Sequence, residues 1–156
     1  GVGMIGKEAA KIAKAFGMKV LGVRHSGKPQ EFVDEMYTTA QLDEILPNCD
    51  YVVVTLPLTK ETNRLFGSKQ FELMKSSAFF INIGRGEIVV EEDLISALQK
   101  GIIAGAGLDV FEKEPLSADS PLWDMNRFRR KVHFGKWKMS LLRRTPLVPL
   151  SIIIKG

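Results

Sequence analysis

The opening of the chain, Gly1-Val2-Gly3-Met4-Ile5-Gly6, constrains its fold more than any other feature, because it runs straight into a segment of helical period. In a G-x-G-x-x-G turn the first glycine permits the tight turn. The second lets the backbone approach a pyrophosphate, and the third allows close helix–strand packing. The phosphates then sit on the free N–H groups at the helix N-terminus. Three glycines alone are a weak signal, and a ligand-free turn is the other reading. Context strengthens the motif. Ile5, Ala9, Ile12, Ala13 and Phe16 recur at helical spacing up to Gly17. An apolar run, Lys19 to Val23, then ends at Arg24.

Further strands and helices follow in alternation. Residues 30–46 read as two short helical pieces around Tyr37-Thr38-Thr39, the second being QLDEIL. Asp50 to Thr55 is a β-branched run of the kind buried on both faces. Residues 60–75 read as helical with a break near Gly67, and Ala78 to Ile83 is another buried strand, closed by Gly84-Arg85-Gly86. Glu91 to Lys100 is an amphipathic helix capped by Gly101, and Ala104 to Val110 is a strand rich in small residues. There is no internal repeat. Strands alternating with helices predict a parallel, doubly wound α/β sheet of Rossmann type.

Charge divides the chain at one point. Residues 1–126 hold 13 Lys and Arg against 18 Asp and Glu, a balance of −5. Residues 127–156 hold nine basic residues and no acid. The predicted organisation is therefore a nucleotide-binding unit at 1–126 and a basic, atypical tail at 127–156. The tail supports three readings: an aberrant, frameshift-like terminus, a basic surface segment, or a disordered end. Because the basicity is confined there, nucleic-acid binding by the whole chain is not expected.

Other classes are excluded by residue counts. A single cysteine, Cys49, rules out an internal disulfide framework and a Cys-based zinc cluster, and two histidines argue against a His-based metal cage. No apolar run reaches the roughly 18 residues of a membrane span. The chain starts at Gly1 without an initiator Met or a basic-then-apolar leader, so no signal peptide is expected and the start reads as a cut.

Arg24 stands where a dinucleotide site selects its cofactor. An acidic residue there bonds the ribose 2′-OH of NAD. Arg24, beside His25 and Ser26, suits a 2′-phosphate instead. A solvent-facing arginine after a strand is the alternative.

The blocks GVGMIG, TLPLTKETNRLF, FFINIGRGEIVVEEDLISALQKGIIAGAGLDVFEKEPL and SPLWDMN resemble, in order, the cofactor domain of the D-isomer-specific 2-hydroxyacid dehydrogenases. That family includes glyoxylate/hydroxypyruvate reductases and phosphoglycerate dehydrogenase. The resemblance implies a cytoplasmic, homodimeric NADP- or NAD-dependent oxidoreductase acting on a small 2-hydroxy or 2-oxo acid, with no membrane partner. It implies Arg85 as the substrate-binding arginine and Glu114 as the partner of a catalytic histidine. It places Asp109 at the nicotinamide end, Leu56, Pro57 and Thr62 along the cofactor, and Ile83 and Gly84 near its nicotinamide ribose. With Gly1, Gly3, Met4, Ile5 and Gly6 these residues complete the expected site, which includes no metal.

Three departures from the family pattern accompany the resemblance. The substrate-binding half and the strand feeding the glycine turn are not encoded before Gly1, so the sheet is expected to be incomplete. After SPLWDMN the basic tail replaces the T-P-H-x-x-G-type motif. His133 lies at a suitable distance from Glu114, but its neighbours do not reproduce that motif, so it stands both as candidate catalytic acid and as coincidence. The return helix is not recognisable. A non-catalytic dinucleotide-binding or corepressor-like module, and a non-functional gene fragment, are the competing readings.

Overall fold

The computed structural model describes residues 2–125 and the backbone of residues 128–130. Helix α1 (Met4–Ala15) begins at Gly3, whose extended backbone starts the helix without a side-chain cap. Its buried face is made of Gly6, Ala10 and Ala13. The larger apolar residues that mark the helix in sequence, Ile5, Ile12 and Phe16, stay largely exposed. Small side chains let this helix approach the strands closely, so the residues that announce the helix are not the ones that pack it.

Strand β1 (Leu21–Val23) is wholly buried and pairs in parallel with β2 (Glu35–Tyr37), Gly22 opposite Met36. The β2 segment lies where sequence pattern predicted the first of two helical pieces. It is a strand because β1 offers it a ladder, and because the Asp34 carboxylate, just before it, accepts the Val20 N–H at 2.7 Å. The second piece is helical but fragmented. A 3₁₀ turn at Thr39–Gln41 leads into α2 (Leu42–Ile45), and a second 3₁₀ turn carries Pro47.

A second sheet holds β3 (Tyr51–Val54), β4 (Phe79–Asn82), β5 (Gly105–Leu108) and β6 (Phe128–Arg130), in that order and all parallel. Parallel neighbours require crossover connections. These carry α3 (Ser68–Leu73) and α4 (Glu91–Lys100), the latter ending at Gly101 as its sequence indicates. The main core lies under this sheet. The Phe80 ring of β4 lies tilted at 5.0 Å from Phe66 and edge-on at 5.3 Å from Phe71, and all three rings are fully buried. Burial of each such ring contributes about 1.5–3 kcal/mol.

A smaller cluster of Val2, Ala10, Ala13 and Val20 packs against Tyr51 and Val53 of β3. Val52 and Val54 belong instead to the main core. Strand β3 is thus covered on both faces, the condition of a doubly wound sheet. The observed orders, β2–β1 and β3–β4–β5–β6, are those of a 3-2-1-4-5-6 Rossmann sheet without a strand at position 1. The predicted fold is therefore present, as a partial domain.

Candidate functional site

The predicted cofactor residues gather where the parallel strands end. Arg24, His25 and Ser26 follow β1, Leu56 and Pro57 follow β3, Ile83 to Arg85 follow β4, and Asp109 follows β5. In open parallel sheets this carboxyl edge is where ligands bind, near the point where strand order reverses. That reversal falls between β1 and β3, beside the start of α1.

The α1 N-terminus is suited to an anion. Gly3 is exposed, no side chain caps the helix, and its first turn contains no acidic residue. The positive end of the helix dipole is therefore uncompensated. Met4 and Ile5 are exposed beside it, at 89% and 64%. Arg24 is half-buried at the end of β1, with His25 and Ser26 exposed next to it. The Arg24 N–H donates to the Tyr37 carbonyl, and Gly27 N–H closes a turn onto the Arg24 carbonyl at 3.0 Å. Backbone bonds thus hold the base of this arginine at the mouth of the β1–β2 pair. These groups fit an anionic dinucleotide.

The loop after β3 is braced by Thr62, which is 1% exposed. Its hydroxyl donates to the Pro57 carbonyl at 2.8 Å and accepts the Thr59 N–H at 2.7 Å. Leu56 is buried, Pro57 exposed. The turn after β4 presses against this loop. A Cβ on Gly84 would lie 2.6 Å from the Leu56 carbonyl oxygen, so only glycine permits the approach. On its other side a Cβ on Gly86 would lie 1.9 Å from the Phe111 backbone. Arg85 sits between these two contacts, exposed, its Nη1 donating to the Gly84 carbonyl at 2.8 Å.

Arg85 and Glu114 line one open cleft of about 220 Å³, with Gly86, Glu87, Phe111 and Glu112. The Glu114 carboxylate accepts the Phe111 N–H at 3.1 Å. Glu112 pairs with Arg64 at 3.2 Å and donates its N–H to Glu91, which ties the loop after β5 to two other elements. Ile83 and Asp109 are exposed on the same edge. A guanidinium and a carboxylate that line one cleft can respectively hold an anionic substrate and orient a titratable group.

Gly1 and His133 lie outside the described residues, as does most of the basic tail. Sequence reasoning assigned no part in the site to Asn82, Gly86, Arg64 or Glu112. Asn82 did leave a signal, since it is an amide ending an otherwise apolar strand. Arg64 and Glu112 left none, because their pairing spans 48 residues. No described helix is long and apolar enough to cross a membrane. Among the described residues no His, Cys, Asp and Glu group could hold a metal ion.

An anion-ready helix start at the carboxyl edge of a parallel sheet, where strand order reverses, defines a dinucleotide-binding domain. The chain belongs to the D-isomer specific 2-hydroxyacid dehydrogenases, whose NAD binding domain it matches over residues 1–135. It is 49% identical over 138 residues to glyoxylate/hydroxypyruvate reductase B of Escherichia coli (strain K12 / DH10B), covering 86% of this chain and 42% of that protein. Among solved structures it superposes on a D-isomer specific 2-hydroxyacid dehydrogenase family protein from Aeromonas salmonicida with a TM-score of 0.81 at 44% identity, over 86% of this chain and 43% of the other. It also superposes on the NADPH-dependent glyoxylate/hydroxypyruvate reductase of Sinorhizobium meliloti, solved with NADP and sulfate. There the TM-score is 0.78 at 40% identity, over 83% and 42% of the two chains. The chain thus spans less than half the length of these three relatives.

Proposed function

We propose that this chain is the NADP(H)-binding part, with NAD as the second choice, of an enzyme that interconverts a 2-hydroxy acid and its 2-oxo acid. The carrying observation is that Arg85 and Glu114, from different strand ends, line one cleft on the edge that presents the α1 N-terminus. The dinucleotide-binding unit is residues 1–126, and 127–156 is a distinct basic segment. The family resemblance supports a cytoplasmic homodimer for the complete enzyme.

In this reading the N–H groups from Gly1, Gly3, Met4, Ile5 and Gly6 hold the pyrophosphate, and Arg24 with His25 and Ser26 holds the 2′-phosphate. Leu56, Pro57 and Thr62 line the cofactor's length, with Ile83 and Gly84 at the nicotinamide ribose and Asp109 at the ring. A bound nicotinamide supplies hydride in one direction and accepts it in the other. Arg85 binds the substrate carboxylate and polarises the adjacent carbonyl. Glu114 orients a histidine and favours its protonated form, so that during reduction the ring gives its proton to the carbonyl oxygen. His133 is the candidate for that acid within this chain.

A chimaera tests the proposal. Residues 1–126 replace the equivalent segment of the E. coli reductase, which contributes its own substrate domain and closing segment. We expect NADPH-dependent reduction of glyoxylate or hydroxypyruvate, and a loss of about 10²–10³-fold in kcat/KM on Arg85→Ala, the range for removing a group that stabilises developing charge. A folded chimaera that binds NADPH but reduces neither acid overturns the proposal.

A further inference from the structure

Asn82 is one of three buried polar or charged residues among those described, and the one that ends the strand leading to Arg85. It is 1% exposed. Its Nδ2 donates to the Arg85 carbonyl at 2.9 Å, and its Oδ1 accepts the Gly84 N–H at 3.0 Å. The two bonds fix the amide's orientation, because the Gly84 N–H requires an acceptor and the Arg85 carbonyl requires a donor. Its own backbone carbonyl accepts the Asp109 N–H at 2.9 Å. One residue therefore links the turn carrying Arg85 to the end of β5.

The placement matters because of the neighbours of Arg85. Gly84 and Gly86 are required by close backbone approaches to Leu56 and Phe111. Glycine is also the residue with the most backbone freedom to lose. A turn of the form Gly-Arg-Gly has no side chain of its own to stiffen it on either side of the arginine. The Asn82 amide supplies that stiffness, since it holds one backbone group just before Arg85 and the carbonyl just after its side chain. The Arg85 guanidinium lies on the Gly84 carbonyl, inside the stretch so held. Carboxylate recognition by arginine depends on a fixed fork direction. We propose that Asn82 is a positioning residue that aims Arg85 at the carboxylate of the 2-oxo acid. This inference rests on the reading of Arg85 given above.

The two substitutions that discriminate are Asn82→Ala and Asn82→Asp. The first removes both bonds. The second keeps the acceptor for Gly84 N–H but sets a carboxylate oxygen against the Arg85 carbonyl. Protonation of the introduced carboxyl restores a donor there.

The test uses the chimaera described above, loaded with NADP⁺ and otherwise unmodified, and oxamate, an unreactive carboxylate analogue of glyoxylate. The readout is the Arg85 Nε–Hε resonance in ¹H–¹⁵N spectra, assigned with Arg85→Lys. In the unmodified chimaera we expect oxamate to shift this resonance with a millimolar dissociation constant. Asn82→Ala is expected to weaken that binding about tenfold. Asn82→Asp should weaken it at pH 7 and recover at least half of the loss at acid pH, whereas oxamate binding by the unmodified chimaera should change little over that range. Backbone amide resonances away from residues 82–86 separate the two roles: they stay in place in Asn82→Asp at pH 7 if Asn82 aims Arg85, whereas a purely structural role moves them throughout the domain. If the unmodified chimaera gives no oxamate response at Arg85, the assignment of Arg85 falls, and this proposal with it. If Arg85→Ala abolishes binding while both Asn82 variants bind as the unmodified chimaera does, the Asn82 proposal alone is overturned. If Asn82→Ala unfolds, the acid recovery in Asn82→Asp decides, and its absence overturns the proposal.

Discussion

At the residue scale, the proposed preference for NADPH turns on Arg24. Its backbone is held by the Tyr37 carbonyl and the Gly27 turn, so its side chain projects from a defined point at the end of β1. A charge-assisted bond to a 2′-phosphate contributes about 1.5–3 kcal/mol, which corresponds to roughly tenfold or more in cofactor preference. We expect the chimaera described above to prefer NADPH, and Arg24→Asp to invert that order in favour of NADH. Measurement of kcat/KM with both cofactors checks this, and an unchanged ratio after substitution sinks the assignment. The position of Arg24 just after a strand is legible in the sequence, because strand ends in a parallel sheet are predictable. Asn82 was not identified, because the bonds that define its role depend on how the turn closes.

At the element scale, β2 depends on a contact its own sequence does not display. Asp34 accepts the Val20 N–H at 2.7 Å and pairs with Lys14 at 2.7 Å, joining α1, β1 and β2. The Lys14 ammonium first, then the Val20 N–H, hold the Asp34 carboxyl below its ordinary value of 3.8. The unfolded chain therefore takes up this proton at higher pH than the folded one. The stabilisation is complete above about pH 4 and is lost as pH falls through the lowered folded value. The side chain is a third exposed, so solvent screening limits the effect to about 1 kcal/mol. Asp34→Asn should lower stability by that amount at pH 7 and leave it nearly unchanged at pH 2. Urea midpoints at the two pH values measure the difference, and equal losses at both would remove the carboxylate from the account.

At the scale of the whole molecule, the described strands form two sheets that do not pair with each other. Among the described residues the outer edge of β1 and the facing edge of β3 lack ladder partners. Each missing bond costs about 0.5–1.5 kcal/mol, and several together rival a domain's margin of roughly 5–15 kcal/mol. Unpaired edges also recruit other strands. The exposed apolar stripe of Ile5, Ile12 and Phe16 adds to that tendency. We expect the 156-residue chain alone to associate with rising concentration, to bind NADPH weakly and to show little or no turnover. Light scattering, calorimetry and an assay with glyoxylate and hydroxypyruvate check these outcomes. A monomer with micromolar NADPH affinity and measurable turnover would show that the two half-sheets are sufficient.

Local sequence determined the α1 and α4 helices, the cores of β1, β3, β4 and β5, and the glycine turn. In each, period and punctuation express steric preferences of the chain itself. It also determined which residues stand at strand ends, and so most of the candidate site. Tertiary structure decided the rest. β2 is a strand because β1 and Asp34 hold it there. The buried face of α1 falls on Gly6, Ala10 and Ala13 because only small residues allow the helix to seat closely. The Arg85 turn takes its form from Asn82 and from two glycines pressed against Leu56 and Phe111. Such features arise from contacts between segments far apart in the chain, and a local pattern does not encode which distant backbone will arrive.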